Sequence, residues 1–290
     1  MPSKADLSGT TLPRRQLGKV LRDARQARGL TLDQVAAATG ISRPTLSRIE
    51  LGQYTKVREM EADFLGRYYG LPEARIQFLK SLVDQLSPKI WCKNGQHRPY
   101  PVFKTYTSLE SYASNGWFHQ SIAVPGLLQT ADYARTLTRL ADPDRPMDEI
   151  DAHVDSRMQR GRILTRPHLA LRAEFLLQEN VLYSLVGSGR IMAAQLQHVA
   201  DMSTRDNISI RIVPFAAGIP AGVLLTPHII LEFPDNEPPI VYTEALMTSV
   251  FEDEDVVKQF RAAHDILRKS ALEEEPSRDL IRKTARRHER

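Results

Sequence analysis

The sequence predicts an all-α N-terminal domain followed by a larger α+β (mixed) domain. Three observations lead to this prediction. The chain has 290 residues, more than one small domain needs. Up to residue 86, apolar residues recur only with helical spacing. Beyond it, β-branched runs such as 208–213 and 228–233 alternate with helical stretches, which is typical of a domain that contains both strands and helices.

The composition is that of an ordinary globular protein, with 42% hydrophobic and 26% charged residues. No long apolar run occurs, so we expect no membrane span. The first residues lack the apolar core of a secretory signal. The single cysteine, Cys92, excludes an internal disulfide and any cysteine-rich zinc site. A cytoplasmic location is therefore expected.

Positive charge is concentrated at the front of the chain. Residues 1–52 contain nine Lys or Arg against four Asp or Glu, a net of +5, whereas the whole chain carries only +4. The remainder therefore sums to −1. A basic N-terminal segment followed by a nearly neutral remainder indicates that the N-terminal segment binds a polyanion. The alternative is that this charge is only solvated surface charge.

The first 86 residues are predicted to form an arm and five short helices. Residues 1–13 have no apolar period, so we expect a flexible arm there. In the first helix, apolar residues fall at i, i+3, i+4 and i+7 from Leu17, and Gly29 ends it. Two later periodic segments predict a fourth and a fifth helix. Residues 14–86 are therefore expected to form one compact bundle.

The second and third helices of this bundle are predicted to form a helix-turn-helix. Thr31 is a good N-cap for the second helix. Gly40 supplies the turn, because a positive φ is cheap only for glycine. Ser42 caps the third helix, and Pro44 falls in its first turn, where a missing N–H costs nothing. This arrangement is typical of a DNA-binding helix-turn-helix, so we expect the N-terminal domain to be an all-α helix-turn-helix domain.

The rest of the chain is predicted to have three parts. A connector at 87–106 is rich in proline and aromatic residues and is expected to be ordered. The alternative is that its Lys and Arg side chains help to bind nucleic acid. The α+β domain is expected at 107–283 and is followed by a basic tail at 284–290. The amphipathic end from Arg282 to Arg290 is expected to be a fraying helix. Helices are expected at 107–115, 130–141, 147–164, 174–185, 189–204 and 252–271. Strands are expected at 117–124, 168–173, 207–213, 226–233 and 239–245.

The third helix is predicted to read DNA, because the second helix of such a unit enters the major groove. Starting it at Ser42 turns Leu46 and Ile49 inward. The residues that turn outward and are predicted to contact bases are Arg43, Pro44, Ser47 and Arg48. The guanidinium donors of arginine match the acceptor atoms of guanine. The alternative for each arginine is a phosphate contact or a side chain that is only solvated. The residues expected to contact phosphates are Thr31, Ser42, Thr45, Gln53, Tyr54, Lys56, Arg14 and Arg15.

Residues 16–70 resemble the xenobiotic-response-element type of helix-turn-helix, which has the phage-repressor-like fold. Residues 21–30, Ala36, Gly40 and residues 47–52 carry the resemblance. In that family an arginine of the first helix pairs with a glutamate at the end of the third. The resemblance therefore implies a structural ion pair between Arg25 and Glu50.

Residues 107–283 resemble a second domain of many actinobacterial regulators of this type, described as antitoxin-like. The resembling segments are 124–133, Gly187, 195–196, 212–218 and 241–244. The resemblance implies a dimeric regulator that is often paired with a small protein encoded nearby. Loops at strand ends often bind ligands. The candidates for an effector or partner surface are Pro125, Gly126, Gln129, Phe215 and Gly218.

The sequence predicts no enzyme, no metal site and no cofactor. Asp151, His153 and Asp155 lie on an expected helix at a spacing that points them to different faces. The segment 187–189 is too short for a phosphate-binding loop. No nucleophile is paired with a base in a recognisable motif.

We therefore expect a sequence-specific transcriptional regulator that binds a double-stranded DNA operator as a homodimer. Its larger domain would sense a small molecule or a small protein. The alternative is an antitoxin-like protein that neutralises a small cognate partner and autoregulates its operon. No membrane association is expected.

Overall fold

A computed structural model describes residues 11–54, 57–86, 101–220, 226–234, 238–243, 249–251 and 253–289. The chain divides into two compact units, Met1–Thr105 and Tyr106–Arg290. The N-terminal unit is helical and the C-terminal unit mixes helices with a six-stranded sheet, which confirms the predicted fold class.

The described residues up to Leu86 form five helices around a shared apolar core. They are α1 (Thr11–Ala27), α2 (Leu32–Thr39), α3 (Arg43–Glu50), α4 (Glu59–Tyr68) and α5 (Glu73–Leu86). Leu17 and Leu21 of α1 are buried with Val35 of α2 and Leu46 of α3, as the helical spacing predicts. The core is thus built from one face of each helix.

A close crossing of α1 and α3 fixes the third helix in place. A Cβ atom at Gly18 would lie 2.4 Å from the carbonyl oxygen of Ile49. No side chain fits in that space, so glycine lets the two backbones approach. The crossing presents the opposite face of α3 to solvent.

The C-terminal unit alternates helices and strands before ending in two long helices. Its helices are α6 (Pro101–Tyr112), which begins before the unit boundary, α7 (Ala131–Ala141), α8 (Met147–Gly161), α9 (Gly189–Met202), α10 (Glu254–Ser270) and α11 (Glu274–His288). Its strands are β1 (Asn115–Gln120), β2 (Arg172–Gln178), β3 (Ile208–Val213), β4 (His228–Glu232), β5 (Ile240–Thr243) and β6 (Ser249–Phe251).

The six strands form one mixed sheet in the order β3-β2-β1-β4-β5-β6. Strands β1, β2 and β3 are parallel, whereas β4, β5 and β6 add on antiparallel. Helices therefore connect the parallel strands, as parallel pairing requires. The starts of the three parallel strands share one edge of the sheet, and their ends share the other.

The expected helix at 174–185 is wrong. Residues Arg172–Gln178 form β2, a central strand paired on both sides, and a short 3-10 turn follows at Glu179–Leu182. The expected strand at 168–173 accordingly begins only at Arg172. The sequence of this segment is rich in helix-forming residues, but pairing with β1 and β3 outweighs that preference.

Three segment boundaries also differ from the sequence-based expectation. Helix α1 begins at Thr11, inside the expected arm, and α6 begins at Pro101, inside the expected connector; residues 1–10 and 87–100 lie outside the described residues. Residues 284–288 of the expected tail belong to α11, which buries Thr284 and Ala285. The tail is therefore a packed helix end, because its apolar stripe meets α9 and β3.

Candidate functional site

The turn between α2 and α3 is built by capping residues and one glycine. The hydroxyl of Thr31 accepts a hydrogen bond from the backbone N–H of Gln34 at 3.2 Å, and the Gln34 amide accepts one from Thr31 N–H at 2.8 Å. Gly40 ends α2 with a φ of 72°, a left-handed conformation that favours glycine. The N-cap of α3 is Ser42, whose hydroxyl accepts from Thr45 N–H at 3.3 Å.

Helix α3 has one buried face and one exposed face. Leu46 and Ile49 are only 1% and 2% exposed. Arg43, Pro44 and Arg48 are exposed, and Ser47 and Thr45 are half-buried. The predicted base-contacting residues thus share the solvent side of a helix that the core holds from behind.

Arg43 is paired with an acidic residue of α2. Its Nε atom lies 3.0 Å from Oδ1 of Asp33, and both side chains are well exposed. Exposed ion pairs contribute little to stability, so this guanidinium can exchange its partner for another anion or acceptor at little cost. Asp33 is not among the site residues predicted from the sequence. The sequence feature that could have indicated it is an acidic residue in the first turn of the preceding helix.

Arg48 packs against the loop that follows α3. Its guanidinium carbon lies 5.3 Å from the centroid of the Tyr54 ring, within the range of a cation–π contact. The backbone N–H groups of Gln53 and Tyr54 both donate to the carbonyl of Arg48, at 2.8 and 3.1 Å. The loop therefore wraps back onto the end of α3. Lys56, the remaining predicted contact of this loop, lies outside the described residues.

The start of α1 lies beside the same loop. Gly52 has a φ of 68°, and a Cβ atom there would lie 2.9 Å from Cα of Arg15. Arg15 is exposed and Arg14 is half-buried, and both make further contacts within the protein. The two arginines are thus near the end of α3, where the sequence analysis predicts phosphate contacts. Thr31, Ser42 and Thr45 use their hydroxyls in helix caps.

Glu50 at the end of α3 is buried and pinned by arginines of α1. Arg25 donates from Nε and Nη2 to the two carboxylate oxygens at 2.7 and 2.8 Å. The hydrogen bond to Glu50 raises the pKa of Arg25 above its ordinary value. Arg22 donates to the Glu50 carbonyl, and Arg25 also donates to the Leu30 carbonyl at 2.7 Å. Arg25 and Glu50, which the family resemblance pairs, therefore hold α3 against α1.

The candidate effector residues of the C-terminal unit separate into two groups. Pro125 and Gln129 are buried, and Gly126 is half-buried. The Gln129 amide donates to the Val124 carbonyl at 2.7 Å and accepts from Nη1 of Arg157 at 2.7 Å. Pro125 and Gln129 are therefore part of the internal framework, which corrects their assignment to a binding surface.

Phe215 and Gly218 are exposed, and they lie in the loop after β3. The Phe215 ring, 64% exposed, stacks on Tyr183 with centroids 6.2 Å apart. Leu185 and Ile219 nearby in the sequence are also mostly exposed. We call Tyr183, Leu185, Phe215 and Ile219 the apolar rim. Tyr183, Leu185 and Ile219 were not predicted from the sequence, because exposure of side chains in a loop leaves no periodic signal.

Within the residues that the structure describes, no group of three or more His, Cys, Asp or Glu is arranged to hold a metal ion. None of the described helices combines the length and the apolar character that crossing a membrane requires.

Two family models match the chain. One, described as a helix-turn-helix domain, matches residues 16–79 and so covers the helices described above. The other, described as a domain of unknown function (DUF5753), matches residues 103–283, more than half of the chain. No curated protein and no solved structure matches the chain significantly. The chain therefore belongs to the DUF5753 family and carries a helix-turn-helix domain in front of that domain.

Proposed function

We propose that the chain is a sequence-specific transcriptional regulator that binds its operator DNA as a homodimer in the cytoplasm and has no enzymatic activity. The helix-turn-helix domain is the basis of the DNA-binding assignment. The observation that carries the specific proposal is the exposed face of α3, with Arg43 and Arg48 outside and Leu46 and Ile49 anchored in the core.

In this proposal α3 lies in the major groove, which is about 12 Å wide and admits one helix. Arg43 sits at the N-terminal end of α3, the end that meets base edges in such domains. Its planar fork is suited to guanine O6 and N7. The loop after α3 and the start of α1 would hold phosphates, which sets register and salt dependence. In a dimer, two such helices would be spaced about 34–36 Å apart on a pseudo-palindromic site.

The test is a pair of matched substitutions measured on operator DNA selected from a random pool. Arg43→Ala removes both the Asp33 ion pair and the proposed base contact. Asp33→Ala removes the same ion pair but keeps the guanidinium. We expect Arg43→Ala to weaken operator binding by about 1–3 kcal/mol and to relax the preference at one base position. We expect Asp33→Ala to keep that preference.

Two results would contradict the base-reading role of Arg43. Equal loss of affinity on operator and random DNA would make Arg43 a phosphate contact. Equal effects of the two substitutions would assign the loss to the ion pair. Failure to select any DNA sequence from the pool would contradict the regulator itself.

A second candidate function is favoured by the apolar rim. Its four side chains are exposed on the loops after β2 and β3, at the edge of the sheet where the parallel strands end. Tyr183 and Phe215 stack on each other, and exposed apolar side chains in contact are typical of interaction sites. In this alternative the C-terminal unit neutralises a small cognate protein, and DNA binding only autoregulates the operon.

The alternative predicts that a small protein co-purifies with the chain from native cells. Phe215→Ser with Tyr183→Ser should abolish that association and leave DNA binding intact. The exposed Leu140→Ser on α7 is the control for a general loss of surface hydrophobicity. Co-purification of a metabolite without any protein partner would favour the small-molecule sensor instead.

A further inference from the structure

A cavity of about 400 Å³ opens where the three parallel strands begin. Its walls come from the starts of β1, β2 and β3, from the turn after α9 and from the first part of α11. Sites for small molecules usually have volumes of about 300–1,000 Å³. The cavity is at the opposite edge of the sheet from the apolar rim, so it is a separate feature of the C-terminal unit.

The turn that forms one wall is held rigidly from two directions. Arg278 of α11 donates to the hydroxyl and to the carbonyl of Ser203, both at 2.7 Å. The Asn207 amide donates to the carbonyls of Leu164 and Leu171 at 3.0 and 2.8 Å. Arg205, between these two anchors, is therefore presented from a fixed backbone. Preorganised walls of this kind lower the entropic cost of binding.

Two of the cationic groups that line the cavity have no anionic partner among the described residues. Three arginines line it, Arg172, Arg205 and Arg278. Among the described residues, the guanidinium groups of Arg172 and Arg205 have no ion pair or side-chain hydrogen bond. Of the three lining carboxylates, Glu174 is already bound by Arg268 at 2.9 Å, and Arg268 also pairs with Asp265 at 2.9 Å. The guanidinium groups of Arg172 and Arg205 are therefore the ones available to an added anion.

Trp117 of β1 lines both this cavity and a smaller one of about 180 Å³. On the side of the smaller cavity, the guanidinium carbon of Arg261 lies 5.2 Å from the Trp117 ring centroid. Trp117 is half-buried. We expect its fluorescence to respond to a ligand bound in the cavity.

We propose that this cavity binds a small organic molecule carrying an oxyanion, a carboxylate or a phosphate, through Arg172 and Arg205. Arginine donates in a planar fork that matches both groups, and Arg172 and Arg205 are exposed residues that line the cavity. Asp206 and Glu274 would accept hydrogen bonds from hydroxyl or amine groups of the same molecule. The ligand class is thus a polar metabolite with at least one anionic group.

The binding site itself does not depend on the DNA-binding proposal. Only the use of this ligand as the effector of a regulator rests on the proposed function. Binding is therefore measured without DNA, so that failure of one proposal leaves the other intact.

The experiment uses the full chain with Trp91→Phe, which leaves Trp117 as the single tryptophan. Its emission is followed during titration with citrate and with inorganic phosphate, with sodium chloride at equal ionic strength as the control. An affinity of about 1 mM corresponds to about −4 kcal/mol, so the titrations extend to about ten times that concentration. Saturation with citrate alone assigns a carboxylate site and saturation with phosphate alone a phosphate site.

We expect a saturable change with at least one of these probes. Arg172→Ala and Arg205→Ala should each weaken it about tenfold, the effect of losing about 1.4 kcal/mol of binding free energy. Arg190→Ala, an exposed arginine outside the cavity, should leave it unchanged. If a variant does not fold, the unsubstituted chain still tests the site, because ligand at about ten times its Kd raises the free energy of unfolding by about 1.4 kcal/mol.

Two outcomes overturn the proposal. One is the absence of any saturable change and of any stabilisation with both probes. The other is equal binding by the wild-type chain and by the Arg172→Ala Arg205→Ala double variant, which would locate the anion elsewhere.

Discussion

Glu50 shows how a single buried carboxylate fixes the orientation of the candidate DNA-binding helix. Its side chain is 7% exposed and its partner Arg25 is 12% exposed, so water screens their interaction poorly. A buried ion pair adds little net stability over an apolar pair, but loss of one partner leaves an uncompensated charge. The pair therefore specifies how α3 sits on α1.

We predict that Glu50→Ala destabilises the N-terminal unit by about 3–5 kcal/mol, because the Arg25 guanidinium would remain buried without its partner. This is a large part of the stability of a small domain, about 5–15 kcal/mol. Hydrogen exchange of the α1 and α3 amides, read by mass spectrometry, localises the loss to this unit.

The matched control is Arg67→Ala on α4. Arg67 also makes an ion pair, with Asp63 at 2.9 Å, but its side chain is 55% exposed. Solvent screening makes such pairs nearly neutral, so this variant should exchange like the wild type. Comparable effects of the two substitutions would contradict a special role for Glu50.

At the scale of elements, local pattern predicted the N-terminal helices well and the sheet less well. The cap of α3 at Ser42 and the buried side of Leu46 and Ile49 follow from spacing within a few residues. Strand β2 does not, because Glu174, Leu176 and Leu177 favour a helix until β1 and β3 pair with them. Burial of loop residues such as Gln129 depends on partners far along the chain, which spacing cannot indicate.

The contact between α10 and the sheet contains three buried histidines. His119 of β1 and His228 of β4 are directly opposed in the ladder, with ring centroids 5.2 Å apart. Nε2 of His228 lies 3.3 Å from Nδ1 of His264 on α10. Nε2 of His264 lies 2.9 Å from Glu174 of β2, which Arg268 of α10 also binds. Titratable groups thus replace part of the apolar packing beneath α10.

Burial lowers the pKa of His119 to about 4, and burial together with the nearby His119 lowers that of His228 to about 3. Both values are below the ordinary 6.5, so the unfolded chain binds protons first as the pH falls. The stabilisation by these neutral rings is complete above pH 6.5 and is lost as the pH falls toward the two lowered values.

We therefore predict that the C-terminal unit loses stability steeply on acidification below pH 6.5, by at most about 3 kcal/mol for each ring by pH 4. Urea unfolding of the full chain, followed at several pH values, measures this slope. His119→Phe and His228→Phe should each reduce the slope by about one proton.

His168→Gln is the control, since this histidine is exposed in the loop before β2. It should keep the wild-type slope. The readout is the slope and not the absolute stability, so a variant that packs less well still gives an answer. An unchanged slope in both phenylalanine variants would mean that other groups drive acid unfolding.

The two units of the whole molecule are proposed to have different functions, because they differ in charge and in size. The net charge of +5 in residues 1–52 is in the helical unit, where α3 carries two exposed arginines. The DUF5753 match covers residues 103–283, with a sheet, a cavity and an apolar rim that reading DNA does not require. The C-terminal unit is therefore where dimerisation and effector recognition are proposed.

This division predicts the behaviour of residues 1–86 alone. The five helices enclose their own core, so the fragment should fold without the rest of the chain. If the C-terminal unit provides the dimer contact, the fragment should be monomeric in sedimentation equilibrium. It should bind an operator half-site with unchanged base preference, because Arg43 and Arg48 remain. Its affinity for the full operator should fall by about 10²–10⁴, the usual gain from linking two binding modules.

The full chain and the fragment are compared on the same full operator and on a single half-site. On the half-site the two proteins should bind with similar affinity, because only one helix-turn-helix domain can bind there. A fragment that dimerises and binds the full operator as tightly as the full chain would contradict dimerisation through the C-terminal unit. That unit would then be left with ligand or partner recognition, which the Trp117 titration measures independently of DNA.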